Sequence, residues 1–180
     1  MYLFTQKGKV ITMTKAEQIE KALVMYEKAG IVLTEDEKKN IEIADFGLND
    51  LENTALTLVT YINTDRCCAK EMVLLPGQTC PEHRHPNTDA APGKEETFRC
   101  RWGKVYLYVE GEPAANPHTQ PPKGVYTVSH EVVLNPGEQY TIYPNTLHWF
   151  KSGEEGAVIS EFSTHSSDET DIFSDPAIIR

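Results

Sequence analysis

The sequence predicts an all-β sandwich or barrel preceded by a pair of α-helices. From about residue 55 onward, short β-branched and aromatic runs alternate with Pro, Gly and Asn turns. Before that point, two helix-start signatures stand close together. Neither a tandem repeat nor a low-complexity tract interrupts the pattern, and many short strands with regular turns build sandwiches and barrels.

Taken in order, Thr14-Lys15-Ala16-Glu17 is a capping box: the Thr hydroxyl and the Glu carboxylate each serve a backbone N–H of the first turn. Ile19, Ala22, Leu23 and Tyr26 then fall on one helical stripe, and Gly30 ends the helix. Thr34-Glu35-Asp36-Glu37 repeats the box, predicting a second helix from Glu35 to about Ile43, closed by Gly47. Residues 1–12 allow a short strand, or a natural start at Met13. Strands are expected near 55–62, 69–75, 94–101, 104–110, 125–134, 139–142, 147–151 and 157–163. Arg101-Trp102-Gly103-Lys104 and residues 151–156 read as hairpin turns, and 111–123 as a Pro-rich loop. The expected division is a helical extension over 1–50 packed on a β-barrel domain over 51–180.

The chain has 180 residues, enough to bury a core, and 39% are hydrophobic. A net charge of −10 argues against nucleic acid or an anionic membrane as partner and suits a neutral or cationic small molecule. No run of 18 apolar residues is present, and the first residues lack the pattern of a secretory signal. Cys67, Cys68, Cys80 and Cys100 form no CxxC pair, so free thiols in a reducing, cytoplasmic setting are expected. Cys80, three residues before His83, raises a zinc-type site, but no second cysteine completes its spacing.

Four residues stand out by type and spacing. His83-Arg84-His85 puts two imidazoles on one side of an extended segment. Glu96 follows eleven residues later on the next strand, and His148 lies on a later one. Three imidazoles and a carboxylate suit Mn, Fe, Co, Ni or Zn and leave two octahedral positions for neighbouring substrate oxygens. Alone, an HxH is more often a pair of ordinary surface or packed histidines.

Its surroundings carry more. Gly77, His83, His85, Glu96 and Gly103 resemble the first motif of the cupins, with the gap from His85 to Glu96 lengthened to ten residues. Gly137, Asn145 and His148 resemble the second, altered by Tyr143 where the family has Pro and Ser152 where it has Asn. Asn replaces Gly sensibly, because it tolerates a left-handed turn. The resemblance implies a single cupin, a double-stranded β-helix or jelly-roll barrel, with one divalent metal on His83, His85, Glu96 and His148. Glu95 competes with Glu96, but the spacing to Gly103 favours Glu96. Strand alternation then turns Lys94, Phe98 and Cys100 inward and Glu95 outward.

Lys94, two residues from Glu96, should reach the metal cavity unless it is a solvated loop lysine. Glu161 sits in the apolar run 157–162, where a buried carboxylate is costly unless paired; otherwise it is a strand-end surface charge. With a metal, the two make an acid/base pair across a polyol. Phe98 and His165, just past Glu161, are further candidates to touch substrate.

Longer runs narrow the resemblance. Residues 59–66, 76–85, 93–101 and 103–112, with Tyr140-Thr141-Ile142, Pro144-Asn145-Thr146, His148-Trp149-Phe150 and Asp171-Ile172-Phe173, look like the D-lyxose isomerase family of cupins. The resemblance implies interconversion of D-lyxose with D-xylulose, often D-mannose with D-fructose; the metal and the acid/base pair then suggest proton transfer through a metal-bound enediolate. The resemblance also implies Mn2+ as the preferred ion, although the same ligands accept Zn2+, Co2+, Fe2+ or Ni2+. Glu161 is favoured as base and Lys94 as acid, with the reverse left open. Because cupins often pair through sheet faces or edges, a homodimer is expected. Two other classes stay open: an iron-dependent cupin dioxygenase, in which Lys94 and Glu161 have no task, and a non-catalytic sugar-binding cupin.

Overall fold

Two strands, each far longer than its neighbours, organise the molecule. The computed structural model describes residues 12–89 and 91–180. Its elements in chain order are α1 (Lys15–Lys28), α2 (Glu35–Lys39), β1 (Glu42–Ala44), β2 (Leu56–Asn63), β3 (Cys68–Leu74), β4 (Thr79–Arg84), β5 (Glu96–Val109), β6 (His130–Leu134), β7 (Gln139–Ile142), β8 (His148–Ser163) and β9 (Ile172–Phe173). Long β5 and β8 run antiparallel along their whole lengths. The second half of β8 and the first half of β5 lie in one sheet, ordered β1-β2-β3-β8-β5-β7. The other halves lie in a second, ordered β9-β4-β8-β5-β6. Two antiparallel layers sharing two bent strands make a jelly-roll barrel, the architecture expected of a cupin.

The bends occupy the segments that read as hairpins. β5 continues through Arg101–Lys104, with register shifts between Cys100 and Trp102 and between Gly103 and Val105. There the chain turns a corner, as bulges allow, and does not reverse. Gly103 takes φ +74, and a Cβ on it would stand 2.1 Å from the carbonyl oxygen of Gly156. That close approach between the two long strands requires a glycine just as a tight turn does, so the two share one sequence signature.

Inward positions of both sheets form one apolar core, including Leu56, Leu58, Met72, Leu74, Phe98, Val105, Leu107, Phe150 and Ile159. Alternate positions of the first sheet face outward under α1, where Val59, Val73, Leu75 and Val158 pack on Ala22, Met25 and Tyr26. The helix starts at the expected capping box, with Thr14 accepting from the Glu17 N–H and Glu17 from the Thr14 N–H. A polar knot fixes its position: buried Gln18 donates to Thr57 and Gln78 and accepts from Gln78. The second helix is shorter than expected, because Ile41 and Ile43 flank and enter β1. The expectation for residues 1–12 falls, except for Thr12, outside the described residues. Among the described residues no helix is long and apolar enough to cross a membrane.

Candidate active site and metal centre

The strand tips place three imidazoles together. His83 lies near the end of β4, His85 just beyond it, and His148 opens β8 directly opposite His83. One ring nitrogen from each falls within 4.8 Å of the others, and all three residues are buried. Asn145, in the left-handed region at φ 63, makes the turn before His148, and its N–H donates to the His85 carbonyl. The long loop after His85 folds back so tightly that a Cβ on Gly93 would lie 2.1 Å from that same carbonyl.

Each ring is held from its outer side. Nδ1 of His83 donates to the Pro81 carbonyl at 2.8 Å, and Nδ1 of His148 to the Thr146 carbonyl at 3.0 Å. A carbonyl only accepts, so these rings present Nε2 lone pairs to the cavity. Asp171 performs the same task for His85, with Oδ1 2.5 Å from Nδ1.

Glu96 opens β5 and points in. Its Oε1 is 3.0 Å from His148 Nε2 and 3.3 Å from His85 Nε2. These three atoms are buried and make no hydrogen bond. Acceptors converging this closely are costly in a low-dielectric interior unless a proton or an electron-poor ion lies between them. A divalent cation fits that requirement, and three imidazoles with one carboxylate form a donor set for first-row ions. Cys80 is not part of the cluster; it is buried in the apolar core, and burial pushes its thiol well up.

Lys94 links this cluster to Glu161. Its Nζ stands 2.6 Å from Glu96 Oε2 and 2.7 Å from Glu161 Oε1, and all three residues are buried. Glu95, between them in sequence, is exposed. Burial alone would depress Lys94, but Glu96 and Glu161 more than reverse this and hold it above the ordinary lysine range. Burial would raise Glu96, yet Lys94 and His85 keep it well below the carboxylate range. Burial pushes His83 far down, and the neighbouring His148 and His85 add to it. For His85 the pull of Glu96 and Asp171 outweighs burial and raises it to about 9, so a cation arriving there displaces a proton.

His83, His85, Lys94, Glu96 and Glu161 line a cavity whose remaining wall is partly aromatic, including Phe46, Phe98 and Phe173. Phe98 packs edge-on against Phe150 beneath His148. His165 is elsewhere: it is exposed, bonds the Thr64 carbonyl, and lines an outer mouth with Pro86, Gly93 and Lys94. His118 and His130 are on the surface loop side, bonded to Glu131 and to the Glu112 carbonyl.

The cavity also holds groups that the sequence did not single out. Lys70 donates to Ser166 Oγ at 2.9 Å and to Asp168 at 3.1 Å, and Arg180 reaches Asp168 at 2.7 Å. A signal for Lys70 existed: it shares the inward face of β3 with Met72 and Leu74, where a lysine is out of place. Asp168, Asp171 and Arg180 come from the non-periodic tail, where spacing carries no direction.

No protein-family model matches the chain. It is 67% identical over 171 residues to the D-lyxose/D-mannose isomerase of Thermosediminibacter oceani, covering 93% of this chain and 94% of that one. It is 60% identical over 167 residues to the D-lyxose ketol-isomerase of Cohnella laeviribosi, covering 91% and 92%. Among solved structures, L-ribose isomerase from Cellulomonas parahominis superposes with a TM-score of 0.70 at 16% identity, covering 93% of this chain and 95% of that one. At that identity the likeness concerns the fold alone. Barrel and relatives together define a sugar isomerase of the cupin fold. Within that class, the chain belongs to the D-lyxose isomerase family.

Proposed function

We propose that this chain interconverts D-lyxose with D-xylulose, and D-mannose with D-fructose, using one divalent ion held by His83, His85, Glu96 and His148. Mn2+ is the ion of choice in this proposal. The substrates follow the names of the relatives. The observation that carries the chemistry is the Lys94 ammonium shared between Glu96, in the metal-ligand cluster, and Glu161, outside it.

An aldose becomes a ketose when the C2 proton moves to C1 and the O2 proton moves to O1. A bound divalent ion supplies the Lewis acid that polarises adjacent oxygens of the open-chain sugar. Glu161 projects into the cavity without belonging to the donor cluster, which suits a general base that removes the C2 proton and returns it to C1. Lys94, gripped by two carboxylates, is placed to donate: it orients Glu161 and hydrogen-bonds a developing negative charge on oxygen. Phe98 closes the cavity under the sugar. Lys70, Asp168 and Arg180 offer charged donors and acceptors to the hydroxyls farther along the chain. His165 meets substrate only at the mouth.

The proposal includes a reducing cytoplasmic setting, in keeping with four free thiols, and a homodimer through the outer sheet face where Tyr61, Ile62 and Phe162 are exposed. The direct test is to strip the protein with chelator, restore Mn2+, add D-lyxose and follow D-xylulose. Product after Mn2+ but not before it is expected. Absence of product from D-lyxose and D-mannose with every metal tried would reject the isomerase assignment.

A further inference from the structure

Behind the histidines, on the opposite face of β4, is a buried carboxylate that the reaction does not use. Glu82 lies between Pro81 and His83 and is 1% exposed. A buried carboxylate is costly unless its oxygens are fully bonded. Here they accept from Thr127 N at 2.6 Å, Thr127 Oγ1 at 2.8 Å, Val128 N at 2.9 Å and Ser174 Oγ at 2.5 Å. The Glu82 carbonyl also accepts from Ser174 N.

These donors come from two segments: one contacts two of the histidines, and the other bonds the residue next to the third. The one at Ser174 includes β9, which pairs with β4. It carries Phe173, whose ring stacks on His83 at 5.3 Å, and Asp171, which holds His85. The other, at Thr127 and Val128, covers the outer face of the second sheet. There the Val128 carbonyl accepts from the indole of Trp149, the residue after His148. One carboxylate therefore ties down Asp171 and Phe173, which contact His85 and His83, and the loop that bonds Trp149 beside His148.

We infer that Glu82 is a positioning residue of the metal centre. It acts through the segments it anchors and touches neither ion nor sugar. The inference rests on the proposed metal site. Groups that orient metal ligands commonly change affinity ten- to hundred-fold when altered, and Glu82 acts one bond further out. In Glu82→Gln an amide NH2 replaces one oxygen and faces N–H and O–H donors.

The test is calorimetric titration of chelator-stripped protein with Mn2+. E82Q should bind about ten-fold more weakly than wild type. Ser174→Ala, which removes one of the four bonds, should weaken binding about three-fold, a fraction of the E82Q effect. Ser174→Thr, which keeps the hydroxyl, should restore it. Glu131→Gln is the comparator: Glu131 anchors the same loop through His118 and Tyr108, by bonds that do not involve Glu82. It should lower the melting temperature and leave Mn2+ affinity unchanged. If wild type takes up no Mn2+, the metal site itself fails. If wild type binds and E82Q matches it, or E131Q weakens binding equally, the role of Glu82 is overturned. Should E82Q not fold, S174A decides alone, and wild-type affinity in that variant refutes the inference.

Discussion

The two ends of the barrel are built from the same strands by opposite rules. At the cornered end, inward positions are apolar: Leu74 on β3, Val105 on β5, Ala157 and Ile159 on β8, all fully buried. At the strand tips the same inward alternation delivers Lys70, Glu96 and Glu161, with Lys70 directly opposite Glu161. The first end is held by area, at about 25 cal/mol per Å² of apolar surface removed from water. The second is held by pairing, because each charge there is stranded without its partner. Stability and chemistry are thus separated along a few residues of a single strand, and substitutions at the two ends should fail in different ways.

The largest effect belongs to the tips. Glu161→Gln preserves shape and a hydrogen-bonding oxygen but cannot take a proton. Turnover should fall roughly 10²–10⁴-fold, the worth of a general base. Mn2+ stoichiometry should stay at the wild-type value, since Glu161 lies outside the donor cluster. Steady-state kinetics with metal analysis on the same sample measures both. Wild-type turnover would remove Glu161 from the reaction and shift the base to another cavity group.

At the cornered end the order of effects reverses. Leu74→Ala leaves a cavity in the apolar core, at a cost of about 2–5 kcal/mol. Chemical unfolding should show that loss, while kcat at saturating Mn2+ and sugar stays within about two-fold of wild type. A drop in kcat comparable to that of E161Q would mean that the two ends are mechanically coupled and that the division drawn above is false.

The same division explains what the sequence made legible. Period-two alternation and turn residues located most strands. The spacing from Gly77 to Gly103 brought out His83, His85 and Glu96, and inward alternation from Glu96 carried Lys94 and Phe98. Those are short-range signals. The bends at Gly103 and Gly156 carry the sequence signature of hairpins, because a glycine permits either a reversal or a corner, and only pairing across the sheet decides. Asp168, Asp171 and Arg180 escaped because they reach the cavity through a tail whose course is set by Glu82, Phe46 and β4, each more than 80 residues away in sequence. Nothing in the local sequence sets Glu82 apart from other polar residues beside a motif, since its four donors come from loops without periodicity.

The smallest effect tests whether pairing, and not area, holds the tips. Burial would raise Asp168, but Lys70 on β3, the Ser166 hydroxyl, Lys94 and Arg180 hold its carboxyl well below the usual range. A carboxyl whose folded pKa is depressed favours the fold most above its unfolded value, near 4. As pH falls below that value the unfolded chain takes up the proton first, and stability declines until the folded pKa is passed. One such group gives a slope of at most about 1.4 kcal/mol per pH unit. Asp168→Asn cannot titrate, so wild type should be the more stable protein at neutral pH. The gap should narrow between about pH 4 and about pH 3, by no more than that slope. Urea unfolding of metal-free protein across this range reads the gap directly, because the other carboxylates are common to both proteins. A gap that stays constant on acidification would show that Asp168 contributes shape to the cavity rim and no charge pairing, and the contrast between the two ends would then rest on Lys94 alone.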